Sequence, residues 1–147
     1  MKEKIELIEG GISIDDRGEL TFCNNFNMKN VQRFYQVSNH SSGFVRAWHG
    51  HKKESKYVFV SSGAILIAAV QIDNWVNPSK DLEFEKYILS EKSPKVLFIP
   101  KGYAHGYKTL TENAKIIFFS TSSLEKSSQD DFRFGAYYWN PWDILER

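Results

Sequence analysis

The stretch VRAWHGHKKE, residues 45–54, holds two histidines two apart, His49 and His51, behind Arg46 and Trp48. In a β-strand, residues i and i+2 point to the same face. Both imidazoles then look into one space, with Arg46 on the opposite face unless a bulge intervenes. Such a space holds either a metal ion or a molecule that needs a base. A neutral imidazole suits the removal of a weakly acidic C–H proton near pH 7. The enolate left behind needs a cation or a hydrogen-bond donor, and Lys56 follows two residues after the stretch. The second informative stretch is IPKGYAHGY, residues 99–107. Pro100 and Gly102 shape a tight turn there, and His105 follows into the next strand.

Read as metal ligands, the set is His49, His51, Glu54 and His105, imidazoles and a carboxylate suited to iron, manganese or zinc. Only Lys52 and Lys53 separate His51 from Glu54. With Lys56 they crowd the region with positive charge, which disfavours a cation and suits a diphosphate. The charge around the set therefore counts against a metal.

The elements that must position these groups are strands. Short apolar or alternating runs at 31–38, 43–51, 56–73, 82–90, 95–100, 105–111 and 114–122 are rich in Val, Ile, Phe and Tyr. Turn signals such as NHSSG, SSG, NPSKD and SEKSP separate them. No segment keeps a 3.6-residue period beyond two turns; SSLEKSSQDD, 122–131, reads as one turn of helix or a loop. Many short strands with regular turns point to a sandwich or barrel. At 147 residues the chain reads as one domain, 1–147. Aromatic residues make up 15% of it, which suits an all-β protein or a ring-lined cleft. The aromatic tail FRFGAYYWNPWDILER is expected to pack on the body or on a partner chain.

Bulk properties exclude several classes. A formal net charge of +1 makes no electrostatic case for nucleic acid. A single cysteine, Cys23, forbids an internal disulfide. No run approaches a membrane span and the N-terminal MKEKIELIEGG is not a signal peptide, so no membrane partner and a cytoplasmic location are expected.

The Pro-x-Gly-x-x-His stretch and the earlier His-x-His stretch together resemble the two motifs of the cupin jelly roll, a double-stranded β-helix. Within that fold, DDRGEL (15–20), VRAWHGHK (45–52), KYVFVSSGAILIAAVQID (56–73) and LFIPKGYAHGYKTLTENAKIIFFST (97–121) resemble the nucleotide-sugar 3,5-epimerases and 3,4-ketoisomerases. Those families act on thymidine-diphosphate 4-keto-6-deoxy sugars. The resemblance implies an all-β, single-domain cupin and a cofactor-free isomerase. It places His49 at the general base and His51 at the second histidine of the ketoisomerase motif. Lys56 falls at the enolate-stabilising cation, and Arg46 and Arg17 at diphosphate contacts. His105 falls on the cavity wall. Tyr35 and Tyr107 are further candidate substrate contacts, and Tyr35, Tyr57, Tyr103 and Tyr107 are all open as proton donors.

The chain departs from the epimerase pattern twice. Phe118 occupies the position of the family's tyrosine acid, and phenylalanine moves no proton. The family's C-terminal loop, with an aspartate that orients the base, has no counterpart before Arg147. Both departures favour single-site epimerisation or 3,4-ketoisomerisation over two-carbon epimerisation. A homodimer is expected from the family. A metal-dependent cupin enzyme and a non-catalytic sugar-binding cupin are the alternative classes.

Overall fold

The computed structural model describes residues 2–147. Its strands are β1 (Glu6–Glu9), β2 (Gly11–Asp15), β3 (Gly18–Phe22), β4 (Arg33–Val37), β5 (Val45–His51), β6 (Lys56–Ser62), β7 (Ala64–Gln71), β8 (Phe84–Ser90), β9 (Lys95–Ile99), β10 (Tyr103–Thr109), β11 (Lys115–Ser120) and β12 (Phe132–Arg133), with one short helix, α1 (Leu124–Ser128). Two five-stranded sheets, ordered β1-β9-β6-β11-β4 and β12-β5-β10-β7-β8, face each other, and β2 and β3 form a separate hairpin. Every strand pair is antiparallel. The alternating runs lead to an all-β sandwich or barrel, and the two facing antiparallel sheets fit the cupin jelly roll that the resemblance implies.

The strand alternation sorts side chains between two cores. Val58, Val60, Ile65, Ile67, Leu97, Ile99, Ile116 and Phe118 fill the space between the sheets. Residues one step along on β5, β7 and β10 point the other way: Trp48, Leu66, Ala68, Val70 and Ala104 form a second core, closed by Trp139 and Trp142 from the tail. The sheet carrying β5 is thus buried on both faces, which explains why β7 reads as a continuous apolar run. The aromatic tail packs on the body as expected.

Two local readings change and one open alternative is settled. The run 56–73 is two strands, broken at Gly63, whose φ of 72° and whose hydrogen in place of a Cβ leave room for Thr111 and Ala114. The hairpin β2–β3 and the strand β1 were not visible as strands in the sequence. Segment 122–131 contains the helix turn α1, with Ser123 accepting from the Lys126 amide as N-cap. No helix among the described residues is long and apolar enough to cross a membrane.

Candidate active site

A cleft of about 340 Å³ opens between the sheets at one end of the barrel. Arg46, His49, His51, His105 and Tyr107 line it from the β5–β10 side, and Arg33, Tyr35, Val37, Lys56 and Phe118 from the β4–β11–β6 side. Asp131, Arg133 and the α1 residues Leu124, Ser127 and Ser128 form the rim.

His49 and His105 are direct cross-strand partners, and Arg46 pairs with Tyr107. Three residues on β5 therefore span two on β10, a register shift that marks a bulge. The extra residue turns Arg46 onto the face of His49. That is the exception the strand rule allows, and it delivers an arginine to the cleft that strict alternation would have sent outward. Arg46 Nε donates to Asn39 Oδ1 at 2.8 Å, which leaves the rest of the guanidinium fork for an anion.

The imidazoles sit close together, with ring centroids 6.1 Å apart for His49 and His105 and 5.7 Å for His51 and His105. His51 Nδ1 donates to the Asp130 carbonyl at 2.6 Å, so in the neutral ring Nε2 keeps its lone pair. Burial, with the Arg133, His51 and Lys56 charges, lowers the pKa of His49 to about 4, although Asp131 opposes this. Burial, the other histidines and Lys56 also push His105 well below the usual imidazole value. At neutral pH His49 and His105 are uncharged and able to accept a proton.

Below the cleft floor lies Glu54, 1% exposed. Its carboxylate accepts from Ser120 Oγ, from Ser127 Oγ at 2.8 Å and from Arg33 Nη2 at 3.4 Å, and pairs with Lys56 Nζ at 3.0 Å. Burial alone would raise this carboxyl; the Ser120, Lys56 and Ser127 contacts outweigh it and hold it below the usual carboxylate range. Lys56, 3% exposed, is lowered from the ordinary lysine value chiefly by burial, against the pull of Glu54. Its ammonium also donates to the Tyr35 hydroxyl at 2.9 Å. The Arg33 guanidinium lies 5.2 Å from the Tyr35 ring centroid, and its Nε has no hydrogen-bond partner among the described residues.

Of the residues read from the sequence, His49, His51, Lys56, Arg46, His105, Tyr35 and Tyr107 converge on the cleft. Arg17 does not. It sits on the β2–β3 hairpin, its side chain 86% exposed and paired to Asp15 at 2.6 Å, away from the cleft of its own chain. The metal set also fails to assemble. Glu54, the proposed carboxylate ligand, is committed to two serines and Lys56, and no group of three His, Cys, Asp or Glu side chains among the described residues is placed to hold an ion.

The sequence reading missed Arg33, Asp130, Asp131, Arg133 and the two serines on Glu54. Asp130 accepts the backbone N–H groups of Lys52, Lys53 and Glu54 at 2.8, 2.8 and 3.0 Å, so it caps the end of the histidine strand. Asp131, on the rim, acts electrostatically on His49, so the cleft does contain an aspartate beside the expected base. The one available signal was the charged cluster SQDDFR in a segment otherwise read as a loop.

The family described as dTDP-4-dehydrorhamnose 3,5-epimerase matches residues 5–136. The spore coat polysaccharide biosynthesis protein SpsL of Bacillus subtilis is 32% identical over 132 residues, covering 88% of this chain and 82% of that one. A dTDP-4-dehydrorhamnose 3,5-epimerase of Bacillus anthracis, solved with TDP and pyrophosphate bound, superposes with a TM-score of 0.77 at 23% identity, covering 97% of this chain and 86% of that one. A 3,4-ketoisomerase of Thermoanaerobacterium thermosaccharolyticum, a double mutant in complex with TDP, gives a TM-score of 0.69 at 20% identity, covering 94% of this chain and 93% of that one.

Proposed function

The chain belongs to the dTDP-4-dehydrorhamnose 3,5-epimerase family, and from that premise we propose that it isomerises a thymidine-diphosphate 4-keto-6-deoxyhexose. It does so by removing a proton from a carbon next to the ketone, as a step in making deoxysugars for surface polysaccharide. One observation carries the reading. A half-buried imidazole that is neutral at pH 7, His49, shares the cleft with a buried ammonium, Lys56.

The ketone acidifies the neighbouring C–H bond. His49 takes that proton, the bonding pair moves into the ring, and the ketone oxygen becomes an enolate. Lys56 faces the developing charge from the opposite sheet, where burial strengthens the interaction. Arg46, Arg33 and Arg133 supply guanidinium groups for the diphosphate. His105 and Tyr107 shape the wall behind the sugar. Neither proton removal nor return needs a metal or an organic cofactor.

One observation favours 3,4-ketoisomerisation as a second reading. His51 lines the same wall as His49 and turns Nδ1 to the Asp130 carbonyl, which leaves Nε2 as the nitrogen facing a ligand, so two imidazoles serve neighbouring carbons from one side of the ring.

A homodimer fits the surface. The hairpin β2–β3 pairs with no other strand, Ile14 and Leu20 on it are exposed, and strand β4 leaves an open sheet edge beside the exposed Phe34. Arg17 then meets a nucleotide only if that hairpin reaches a second copy. We read residues 1–147 as one catalytic domain working in the cytoplasm, in keeping with the unpaired Cys23.

The test is deuterium wash-in. The protein is incubated with dTDP-4-keto-6-deoxyglucose in D₂O and followed by NMR. Wild type is expected to exchange the proton at C3, or at C3 and C5, and His49→Asn to lose that exchange while still binding TDP. Exchange that persists at the wild-type rate in His49→Asn removes this residue as the base.

A further inference from the structure

We propose that Tyr35 is the proton donor on the face of the sugar opposite His49, and that the acid of this enzyme has moved one strand over from Phe118. The inference rests on the reading of His49 as the base.

Inversion at carbon needs the departing and arriving protons on opposite faces of the ring. His49 stands on β5, in one sheet; the donor must come from the other sheet, across the cleft. Phe118 occupies such a position on β11 but has no hydroxyl. Its direct partner on the neighbouring strand β4 is Tyr35. The two rings stack with centroids 5.2 Å apart and planes 13° apart, so the tyrosine lies beside the phenylalanine on the same wall. Tyr107 is the other cleft tyrosine, but it stands on β10, in the sheet of His49, and a proton from there returns to the face it left. Tyr57 turns outward against Phe26 and Phe98, and Tyr103 does not line the cleft.

The hydrogen bonding of Tyr35 prepares it for the task. Lys56 Nζ donates to the phenol oxygen at 2.9 Å. The phenol's own hydrogen is therefore not committed to Lys56 and is free to point into the cleft. Burial and the Glu54 charge keep the hydroxyl protonated at rest, with a pKa raised to about 12.

The step balances as follows. His49 accepts the proton from carbon and becomes an imidazolium, while the ketone becomes an enolate. The enolate carbon then takes the hydrogen of Tyr35: the O–H bond breaks, a C–H bond forms on the other face and the ketone returns. The phenolate takes a proton from the Lys56 ammonium, whose nitrogen regains one from water. His49 loses its proton to water, so the site is restored without an oxidant or reductant. Nucleotide sugar and enzyme leave with their original proton counts.

Tyr35→Phe removes the donor and keeps the ring. It is compared with wild type, Tyr107→Phe and His49→Asn on dTDP-4-keto-6-deoxyglucose in D₂O, with NMR reading deuterium wash-in and C3-inverted product separately. The expected result is a loss of inverted product of about 100-fold or more in Tyr35→Phe, with wash-in at the same carbon reduced less than tenfold. The retained exchange also reports that the variant is folded. Inversion at the wild-type rate in Tyr35→Phe overturns the proposal, as does a larger loss in Tyr107→Phe. Parallel loss of wash-in and inversion overturns it too, because the tyrosine would then be holding the site rather than delivering the proton. So does wild-type wash-in with no inverted product, which would mark ketoisomerisation. Wild-type protein that washes in no deuterium, or wash-in that survives in His49→Asn, instead sinks the assignment of the base and takes the Tyr35 assignment with it.

Discussion

Strand β5 has two faces, and they are built to opposite specifications. Toward the cleft it presents His49, His51 and, through the bulge, Arg46: polar groups with room left for a ligand. Toward the outside it presents Trp48, 0% exposed, whose ring meets Trp142 at 5.2 Å and Trp139 at 5.4 Å. The Trp48 indole N–H is shared between the carbonyls of Ala136 and Trp139 at 3.2 Å, and the Trp142 indole donates to Ala136 at 2.7 Å. Gly106, beneath this packing, has no space for a Cβ between Ala47 and the Trp142 ring. One face is left with unsatisfied chemical capacity; the other spends every polar atom on packing. The packed face anchors the strand whose other face carries the crowded imidazoles.

That contrast is open to direct attack. His49→Asn should lower turnover by about 10³-fold, within the range for removing a general base, with the unfolding midpoint nearly unchanged in thermal denaturation. A comparable loss of stability would mean the cleft face also holds the fold. Trp142→Ala should do the reverse: about 3–5 kcal/mol of stability lost in urea denaturation, with kcat retained at a temperature where the protein stays folded. Glu54→Gln should break the division, since this carboxylate lies under the cleft yet neutralises the buried Lys56. We expect about 3–5 kcal/mol of lost stability from uncovering a buried charge, together with reduced kcat and a KM that changes less. An effect confined to either readout would place Glu54 wholly on one side of the contrast.

Acid provides the gentlest probe. The pKa of His49 in the folded protein is about 4, and His105 is also well below its usual value, whereas an unfolded histidine titrates near 6.5. Between those values the unfolded chain binds the extra protons, so stability falls as pH drops through 6.5 toward 4. Unfolding midpoints measured from pH 7 to 4.5 should decline, and His49→Asn should flatten part of the slope. The acid limb of kcat/KM, set by the free enzyme, should lie nearer 4 than 6.5, and Lys56→Met should move it upward by removing one of the charges that depress His49.

The sequence made the histidine pair legible because a period of two needs only adjacent residues. The strands between Arg33 and Ser120 were legible for the same reason, as was the fate of Trp139 and Trp142. The bulge that recruits Arg46 was not, because it exists only as a mismatch between β5 and β10, a strand distant in sequence. Arg33 reads as an ordinary strand-start residue until β4 pairs with β11 and brings it over Glu54. Asp130 and Asp131 looked like loop charge, since their partners lie 76 to 78 positions earlier for Asp130 and on β5, the strand that β12 pairs with, for Asp131. Arg17 shows the converse: a motif match names the residue, while the hairpin that carries it turns away from the cleft of its own chain.

The grip of Asp130 on the amides of Lys52, Lys53 and Glu54 also sets a timetable. Those amides are made first and wait for an oxygen synthesised 76 to 78 residues later. At about 5–20 residues per second, the nascent histidine strand spends roughly 4–15 seconds with its end unheld. The histidine strand is therefore held at this end only after the segment around Asp130 has been made and has docked.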